Sequence, residues 1–292
     1  MQENTTSQND VFVYQKIKNR LLYFLAFQIV LIVYLIIYIP NNNFEIRFFD
    51  VGQGDSIFIK TPENHQILID TGPDNKVLEQ LLNAMPFFDR SIDLLILTHN
   101  DLDHIGGALD ILKRYEVDYI FLNGVSAGSP IYLKLISELE KLNKSAISKI
   151  IIPFAGEKYY FGDVKMEVLY PFSSLLGETG HNANDSSIVV QIEYEGKKIL
   201  LAGDISEEIE KILIKKYGSR LQSYIFKANH HGSKSSNNLG FLQVVLPEIV
   251  VIQAGKENRF NHPHLEVLIN FYKVNVREIF RNDIDKTVKF TW

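Results

Sequence analysis

The sequence predicts an α/β protein, an αββα sandwich of two mixed sheets, preceded by a single membrane-crossing helix. Three observations predict it. The short alternating segments from Phe44 to Asp70 read as an antiparallel meander. After them helical and strand patterns alternate, and the whole succession then occurs a second time. An uncharged apolar stretch, Leu21 to Ile39, stands ahead of both. With 292 residues, 46% hydrophobic and 22% charged, the chain has a globular composition and can hold a large core.

In chain order, Met1 to Asp10 is polar and reads as an unstructured tail, and residues 1–20 form a cytoplasmic N-terminal segment. Residues 21–40 are read as a transmembrane anchor. Leu, Ile, Val, Phe and Tyr occur on every side of this stretch, so no polar face can be drawn as for a buried amphipathic helix. Lys16, Lys18 and Arg20 precede it, which by the positive-inside rule keeps the N-terminus in the cytoplasm and the rest outside the cell membrane. The stretch is long for a cleaved signal peptide and lacks a small-x-small cleavage site. Pro40 and three asparagines make a linker, and a single domain, 44–292, follows.

Within that domain Phe44 to Phe49, Ser56 to Lys60 and Gln66 to Asp70 are the meander strands, separated by turns at Gly52–Asp55 and Pro62–Asn64. Val77 to Met85 has helical spacing. Leu94 to Leu97 is a short continuous apolar run, as in a strand buried on both faces. Gly106 to Tyr115 is a helix, entered through a tight turn at Gly106-Gly107. Tyr119 to Leu122, the helix Ile131 to Leu142 and Ile150 to Ile152 complete the first half. Strands Lys165 to Tyr170, Ser187 to Tyr194 and Lys198 to Ala202 open the second, the last two joined by a Glu195-Gly196 hairpin turn. Helix Glu207 to Tyr217, strand Tyr224 to Phe226, helix Leu239 to Val245, strand Ile249 to Ile252, helix His264 to Val274 and two terminal strands follow.

The chemistry-bearing residues gather just past strand ends. His99, Asp101, Asp103 and His104 put two imidazoles and two carboxylates within a span of six residues just past the Leu94–Leu97 strand. Asn and Asp are common in loops for turn reasons alone, but four ligand-type side chains at this spacing exceed that. The chain has no cysteine, so disulfides and thiolate sites are excluded and a metal must be held by imidazole and carboxylate. Asp204 follows another strand and is read either as a metal ligand or as a helix N-cap ahead of Ser206-Glu207-Glu208. His230-His231-Gly232-Ser233-Lys234 follows a third; one imidazole there can be a ligand and the other a general acid. Ser233, Lys234 and Arg259 are candidate phosphate contacts, with Lys227 and Lys256 behind them. Asp50 and Asp70 end meander strands and are expected to orient His99 or its loop from behind, and a similar role for Asp55 is set against a plain turn. His264 is read as a helix cap. A net charge of −5 excludes a broadly basic nucleic-acid coat protein, so any grip on phosphate is local.

The run His99-Asn100-Asp101-Leu102-Asp103-His104 followed by Ile105-Gly106-Gly107 resembles the signature loop of the metallo-β-lactamase superfamily, whose usual form is His-x-His-x-Asp-His. Asp101 in place of the second His is similar to the branch containing the hydrolase domain of ComEC-type DNA-internalisation competence proteins. The resemblance extends to Asp50-Val51-Gly52-Gln53-Gly54-Asp55, Leu68 to Gly72, Asn184 to Ser187, Leu201 to Asp204, His230 to Lys234 and His262-Pro263-His264, in the family's order. It implies the metallo-β-lactamase fold and two divalent ions, Mn²⁺ or Zn²⁺, with the carboxylate-rich set tilting towards manganese. His99 and Asp101 would bind the first ion, Asp103, His104 and His262 the second, and Asp204 would bridge both. At the third motif, where most members have a His, this chain has His181-Asn182-Ala183-Asn184-Asp185-Ser186-Ser187, so no ligand is carried over, and the first ion is short of nitrogen unless His231 completes it.

The implied activity is hydrolysis of a phosphodiester, with DNA as the nucleic-acid substrate. ComEC-type proteins carry this domain behind a many-helix channel and an oligonucleotide-binding fold, whereas one helix and one catalytic domain account for this chain, so passage of DNA through it is not expected. The competing readings are an esterase for a smaller or envelope phosphodiester, such as a phosphocholine ester, and a non-catalytic metal-stabilised binding module.

Overall fold

The computed structural model describes residues 6–38, 43–180 and 182–292. The chain divides into two units, residues 1–41 and 42–292. The first holds one helix, α1 (Thr6–Tyr38). Its segment Val11–Tyr34 is long and apolar enough to cross a membrane, and its side chains are exposed. The helix starts before the expected anchor and includes residues 6–10 of the expected tail, since Lys, Arg and Gln are good helix formers and do not stop a helix that polar residues begin. Residues 1–5 of that tail and 40–42 of the linker lie outside the described residues.

The second unit contains strands β1 (Glu45–Phe48), β2 (Ile57–Lys60), β3 (Gln66–Ile69), β4 (Ser91–Leu97), β5 (Glu116–Leu122), β6 (Lys149–Ile151), β7 (Lys158–Phe161), β8 (Val164–Tyr170), β9 (Val189–Tyr194), β10 (Lys197–Leu201), β11 (Ile225–Lys227), β12 (Ile249–Ile252), β13 (Glu278–Arg281) and β14 (Val288–Thr291). Its helices include α2 (Lys76–Ala84), α3 (Leu102–Ile105), α4 (Ala108–Arg114), α5 (Pro130–Lys144), α6 (Glu207–Tyr217), α7 (Leu239–Val245) and α8 (Leu265–Lys273). Two seven-stranded sheets result, ordered β14-β1-β2-β3-β4-β5-β6 and β13-β12-β11-β10-β9-β8-β7. In each, one half is antiparallel and the other parallel, the change falling at β3/β4 and at β10/β11.

Alternation of side chains along each strand builds three apolar layers. Leu94 and Ile96 of β4 face the layer between the sheets, whereas Leu95 and Leu97 face helices α2, α4 and α5. Likewise Ile249 and Val251 of β12 point inward while Val250 and Ile252 meet α6, α7 and α8. Both faces being covered is why these runs are continuously apolar. The chain's end closes the first sheet: β14 pairs antiparallel with β1, and Trp292 N donates to Phe44 O at 3.0 Å.

Two expectations differ in detail. The loop-to-helix passage is two short helices, α3 and α4, and its glycines are not needed for a left-handed turn. Gly106 is right-handed at φ −58°. A Cβ there would lie 2.0 Å from Pro73 O, and one on Gly107 would lie 2.6 Å from both Asp74 O and Thr71 O. Close packing of α3 on the β3–α2 loop demands them. Strand β7 was not expected, because Tyr159-Tyr160-Phe161 shows no apolar–polar alternation in the sequence, although in the fold Tyr159 and Phe161 turn to the core and the strand pairs with β8.

Candidate metal centre

Most of the strand-end loops that carry ligand-type residues open at the carboxyl ends of the parallel strands, the usual place for a site in α/β sheets, and Asp55 reaches the same place from the turn between the antiparallel strands β1 and β2. From β3 comes Asp70, from β4 the His99–His104 loop, from β10 Asp204, from β11 His230 and His231, and from β12 Gln253. Four tight groups form there: His99, His104 and Asp204; Asp103, His104 and His231; Asp55, Asp70 and His104; Asp55, Asp204 and His231. In each, the candidate ligand atoms lie within 4.8 Å of one another.

Hydrogen bonds behind the rings fix which nitrogen faces the cluster. The Thr98 hydroxyl donates to Asp70 Oδ2 at 2.7 Å and the Ser187 hydroxyl to Asn184 O at 2.7 Å, so each can only accept from His99 Nδ1, at 3.1 and 3.3 Å. His104 Nδ1 donates to Asp70 Oδ2 at 2.8 Å. His231 Nδ1 donates to the Gln253 carbonyl at 2.8 Å. In all three rings Nδ1 therefore carries a proton and Nε2 is the atom that points into the cluster, where it can bind a metal once it is unprotonated. His99 Nε2 and His104 Nε2 are buried and meet no hydrogen-bond partner among the described residues. His104 Nε2 lies 3.3 Å from Asp204 Oδ2, and His231 Nε2 lies 3.2 Å from Asp103 Oδ2 and 3.1 Å from Asp204 Oδ2. Imidazole nitrogens packed within 3.1–3.3 Å of carboxylate oxygens are a donor set that fits a divalent cation.

The electrostatics agree. Burial alone would depress His104, but Asp204 and Asp70 lift it well above the ordinary imidazole value. Burial opposes and Asp204 and Asp55 raise His231 in the same way. Burial raises and His231, His104 and Lys227 together hold Asp204 well below the ordinary carboxylate value. These two histidines hold protons where a cation fits, so metal binding here releases protons. His99, buried beside His104, is pushed down to about 3 by burial and by that neighbour, and its Nε2 stays a free lone pair.

Asp103 has a partly exposed side chain at the mouth of the cluster, and Asp101 stands further out, its Oδ2 3.9 Å from His99 Nε2. Asp70 works from behind: it takes the Thr98 amide at 2.8 Å besides the Thr98 hydroxyl and His104. Asp204 is not a helix cap; it is buried in the cluster, and Ser206 occupies the N-cap position of α6.

Several residues are placed differently from the sequence reading. The structure brings His231, not His262, into the ligand groups. The His262 ring centroid is 6.2 Å from that of His231, one ring further out. Asp50 is not brought to the cluster: its Oδ1 accepts from Gly52 N at 3.3 Å and its Oδ2 pairs with Lys286 at 3.5 Å. The carboxylate that does reach it is Asp55, buried, with Oδ1 3.2 Å from His231 Nδ1. Lys227 is no phosphate contact. It is fully buried, with Nζ paired to Asp55, 3.3 Å from Asp204 Oδ1 and 3.1 Å from Gly203 O. Ser233 spends its hydroxyl on Ser235 Oγ at 2.9 Å, and Lys234 is exposed. His264 makes no capping bond; its Nδ1 accepts from Lys234 N at 3.2 Å. Arg259 lines a cleft of about 410 Å³ that also borders Asp103. His230 is half-buried, with Nδ1 3.2 Å from Ser235 Oγ and Nε2 4.0 Å from Asp204 Oδ2. His181 lies outside the described residues. The rest of that third motif supplies support instead of a ligand: Ser187 Oγ accepts from the Asp204 amide at 3.2 Å while backing His99.

Sequence reasoning named Lys227 only as a candidate phosphate contact, and it missed Thr98, Ser187, Gln253 and Glu210 as supports of the site. The last is buried on α6 and accepts from Asn229 Nδ2 at 2.7 Å, Asn237 N at 2.6 Å and Asn238 N at 3.0 Å. It thereby holds the loop in which His230 and His231 take positive φ values of 49° and 54°. An apolar run interrupted by a charge, Tyr224-Ile225-Phe226-Lys227, was the available signal for Lys227.

A profile of the "Metallo-beta-lactamase superfamily" matches residues 49–255. The chain is 29% identical over 271 residues to ComE operon protein 3 of Bacillus subtilis (strain 168), covering 86% of this chain and 33% of that protein. It is 27% identical to Competence protein ComA of Neisseria gonorrhoeae, again over 86% of this chain and 33% of the relative. The chain thus spans about a third of the length of the curated relatives it matches. Among solved structures, the metallo-beta-lactamase fold protein YhfI from Bacillus subtilis superposes with a TM-score of 0.57 at 12% identity, covering 85% of this chain and all of that one, which shows the fold. On the profile match, the two-sheet fold and the cluster of imidazoles and carboxylates at its strand ends, the chain belongs to the metallo-beta-lactamase superfamily.

Proposed function

We propose that this chain is a membrane-anchored, metal-dependent phosphodiesterase that hydrolyses DNA. The observation that carries the reaction type is the convergence of three imidazole Nε2 atoms, each locked by a bond to its Nδ1, on Asp103 and Asp204. The likeness to ComE operon protein 3 and ComA favours DNA as substrate. His99, Asp103, His104, Asp204 and His231 would hold divalent ions, Mn²⁺ or Zn²⁺, with Asp101 at the rim. Such ions, when bound, polarise a phosphoryl oxygen and make a water acidic enough to attack it.

The chain's own groups do the rest. Asp70, Thr98, Ser187 and the Gln253 carbonyl hold the rings so that ligand geometry exists before substrate arrives. Lys227 neutralises the inner oxygen of Asp204 and leaves Oδ2 facing the imidazoles. His230 stands at the edge with its Nε2 towards the cluster and 3.5 Å from Asn184 Nδ2, in place to move a proton at the leaving oxygen. Burial lowers it below the ordinary imidazole value, so it is neutral near neutrality and takes a proton before giving one. Lys16, Lys18 and Arg20 at the basic end of α1 favour a catalytic unit outside the membrane.

The test is a Mn²⁺- or Zn²⁺-supplemented assay on single-stranded DNA, duplex DNA and bis-p-nitrophenyl phosphate, with Asp103→Ala as control. DNA cleavage lost in the variant is the expected result. Cleavage of the small ester alone would replace DNA by a smaller phosphodiester, and no turnover of any would refute the reading.

A further inference from the structure

We infer that Arg259 and Phe260 form a stacking platform for one nucleobase of the substrate, beside the phosphate that Asp103 faces. The inference rests on the phosphodiesterase reading and names what the site recognises next to the scissile bond. The cleft of about 410 Å³ shares Asp103 with the metal cluster and is walled by Pro73, Leu102 and Phe260. That size suits one planar ring system. Leu102 and Phe260 are exposed, at 55% and 44%, although they border the same cleft as Asp103.

Planar groups are already stacked there. The Arg259 guanidinium lies 4.8 Å from the Phe260 ring centroid, and Phe260 stacks on His262 at 5.6 Å and 22°. A base entering the cleft extends this stack by one plane, as bases do on aromatic rings and guanidinium groups. The platform is pre-formed. Asn258 Oδ1 accepts from Phe260 N at 3.2 Å and from His262 N at 2.9 Å, and its Nδ2 donates to Gly255 O at 2.9 Å and His262 O at 2.7 Å. Gln53 Oε1 ties Gly255 N across the cleft at 3.1 Å. Four bonds to one asparagine hold the exposed loop, so little entropy is lost on stacking.

The chemistry also selects the occupant. A choline-like cation needs an electron-rich cage, but here a permanent guanidinium covers the ring. A neutral base on a phosphodiester, with its negative charge drawn to Arg259, meets no such penalty.

The experiment compares hydrolysis by the full chain of two single-stranded oligonucleotides of equal length, one of thymidylate and one of abasic tetrahydrofuran units. Both carry the same phosphodiesters. The expected result is a preference for thymidylate on the order of ten- to hundredfold in the wild type, collapsing towards unity in Phe260→Ala and restored in Phe260→Trp. Equal turnover of both oligonucleotides by the wild type would overturn the platform and leave the phosphodiesterase reading intact. If neither oligonucleotide is cleaved, that reading fails, and the platform is decided by binding of a 2-aminopurine oligonucleotide. Quenching in the wild type that is lost in Phe260→Ala upholds it, and any other pattern overturns it.

Discussion

Replacing Lys227 by Met keeps the stem of the side chain and removes an ammonium enclosed among the site's carboxylates. Its Nζ is fully buried and touches Asp55, Asp204 Oδ1 at 3.3 Å and Gly203 O at 3.1 Å. Burial works against its charge, yet Asp55 and Asp204 raise it above the ordinary lysine value, so it is an ammonium at any working pH. At 3.3 Å and an effective dielectric of about 20, the attraction to Asp204 is about 5 kcal/mol before desolvation is subtracted. Breaking a buried pair by removing one partner costs about 3–5 kcal/mol, because the other charge is left uncompensated. For a unit of this size each kcal/mol moves Tm by about 2–4 °C. Metal-free Lys227→Met is therefore expected to melt about 6–20 °C below wild type. At saturating Mn²⁺ the gap narrows, since divalent charge beside Asp204 takes over part of the ammonium's role. Calorimetry or circular dichroism melts in chelator and in Mn²⁺ read both numbers. A metal-free variant as stable as wild type would refute the reasoning, and so would a gap that metal does not reduce.

Three further outcomes follow from the same geometry. His231→Ala removes an imidazole whose Nε2 is 3.1 Å from Asp204, so it is expected to weaken Mn²⁺ binding by isothermal titration at least tenfold, whereas His262→Ala, one ring further out, changes it much less. Burial pushes Glu210 up to about 7 from its ordinary 4.5, so between these pH values the folded chain keeps a proton that the unfolded chain has released. Stability is therefore lost as pH rises through that window, by about 3 kcal/mol in all. The difference in urea stability between wild type and Glu210→Gln, measured from pH 4.5 to 7, should show that slope; a flat difference would contradict it. In Gly54→Ala the new Cβ would lie 2.2 Å from Asp103 O at a φ of +140°, so the variant is expected to lose about 1–3 kcal/mol and to bind metal more weakly, by thermal melts and titration.

How much was legible in the sequence varies by residue in an instructive way. Helices Glu207–Tyr217 and Leu239–Val245 and strand Ile249–Ile252 stand where periodicity placed them, because each is bounded by polar or turn residues and has one clear apolar face or two. Strand β7 was not legible, since an edge strand with one partner carries little pattern. In the site, His99, Asp103, His104 and Asp204 were legible from their dense spacing or from a strand end. Resemblance put His262 ahead of His231 as a ligand, and the spacing could not correct that order, because both follow strands in histidine-rich loops and only distance separates a ligand from a neighbour. Asp50 and Asp55 border the same Gly-rich turn, and which carboxylate points inward depends on the path that Gly52 and Gly54 take at φ 87° and 140°.

The sequence by itself determined the two-sheet architecture, the apolar N-terminal helix and the ligand types, because side-chain periodicity and donor chemistry are local properties. Only the tertiary structure decided that His231 joins the cluster, that Asp55 and not Asp50 backs it, and that Lys227 supplies a buried cation. Those assignments turn on ångström distances between residues far apart in the chain, up to the 176 positions that separate Asp55 from His231 (231 − 55), and no local pattern encodes such distances.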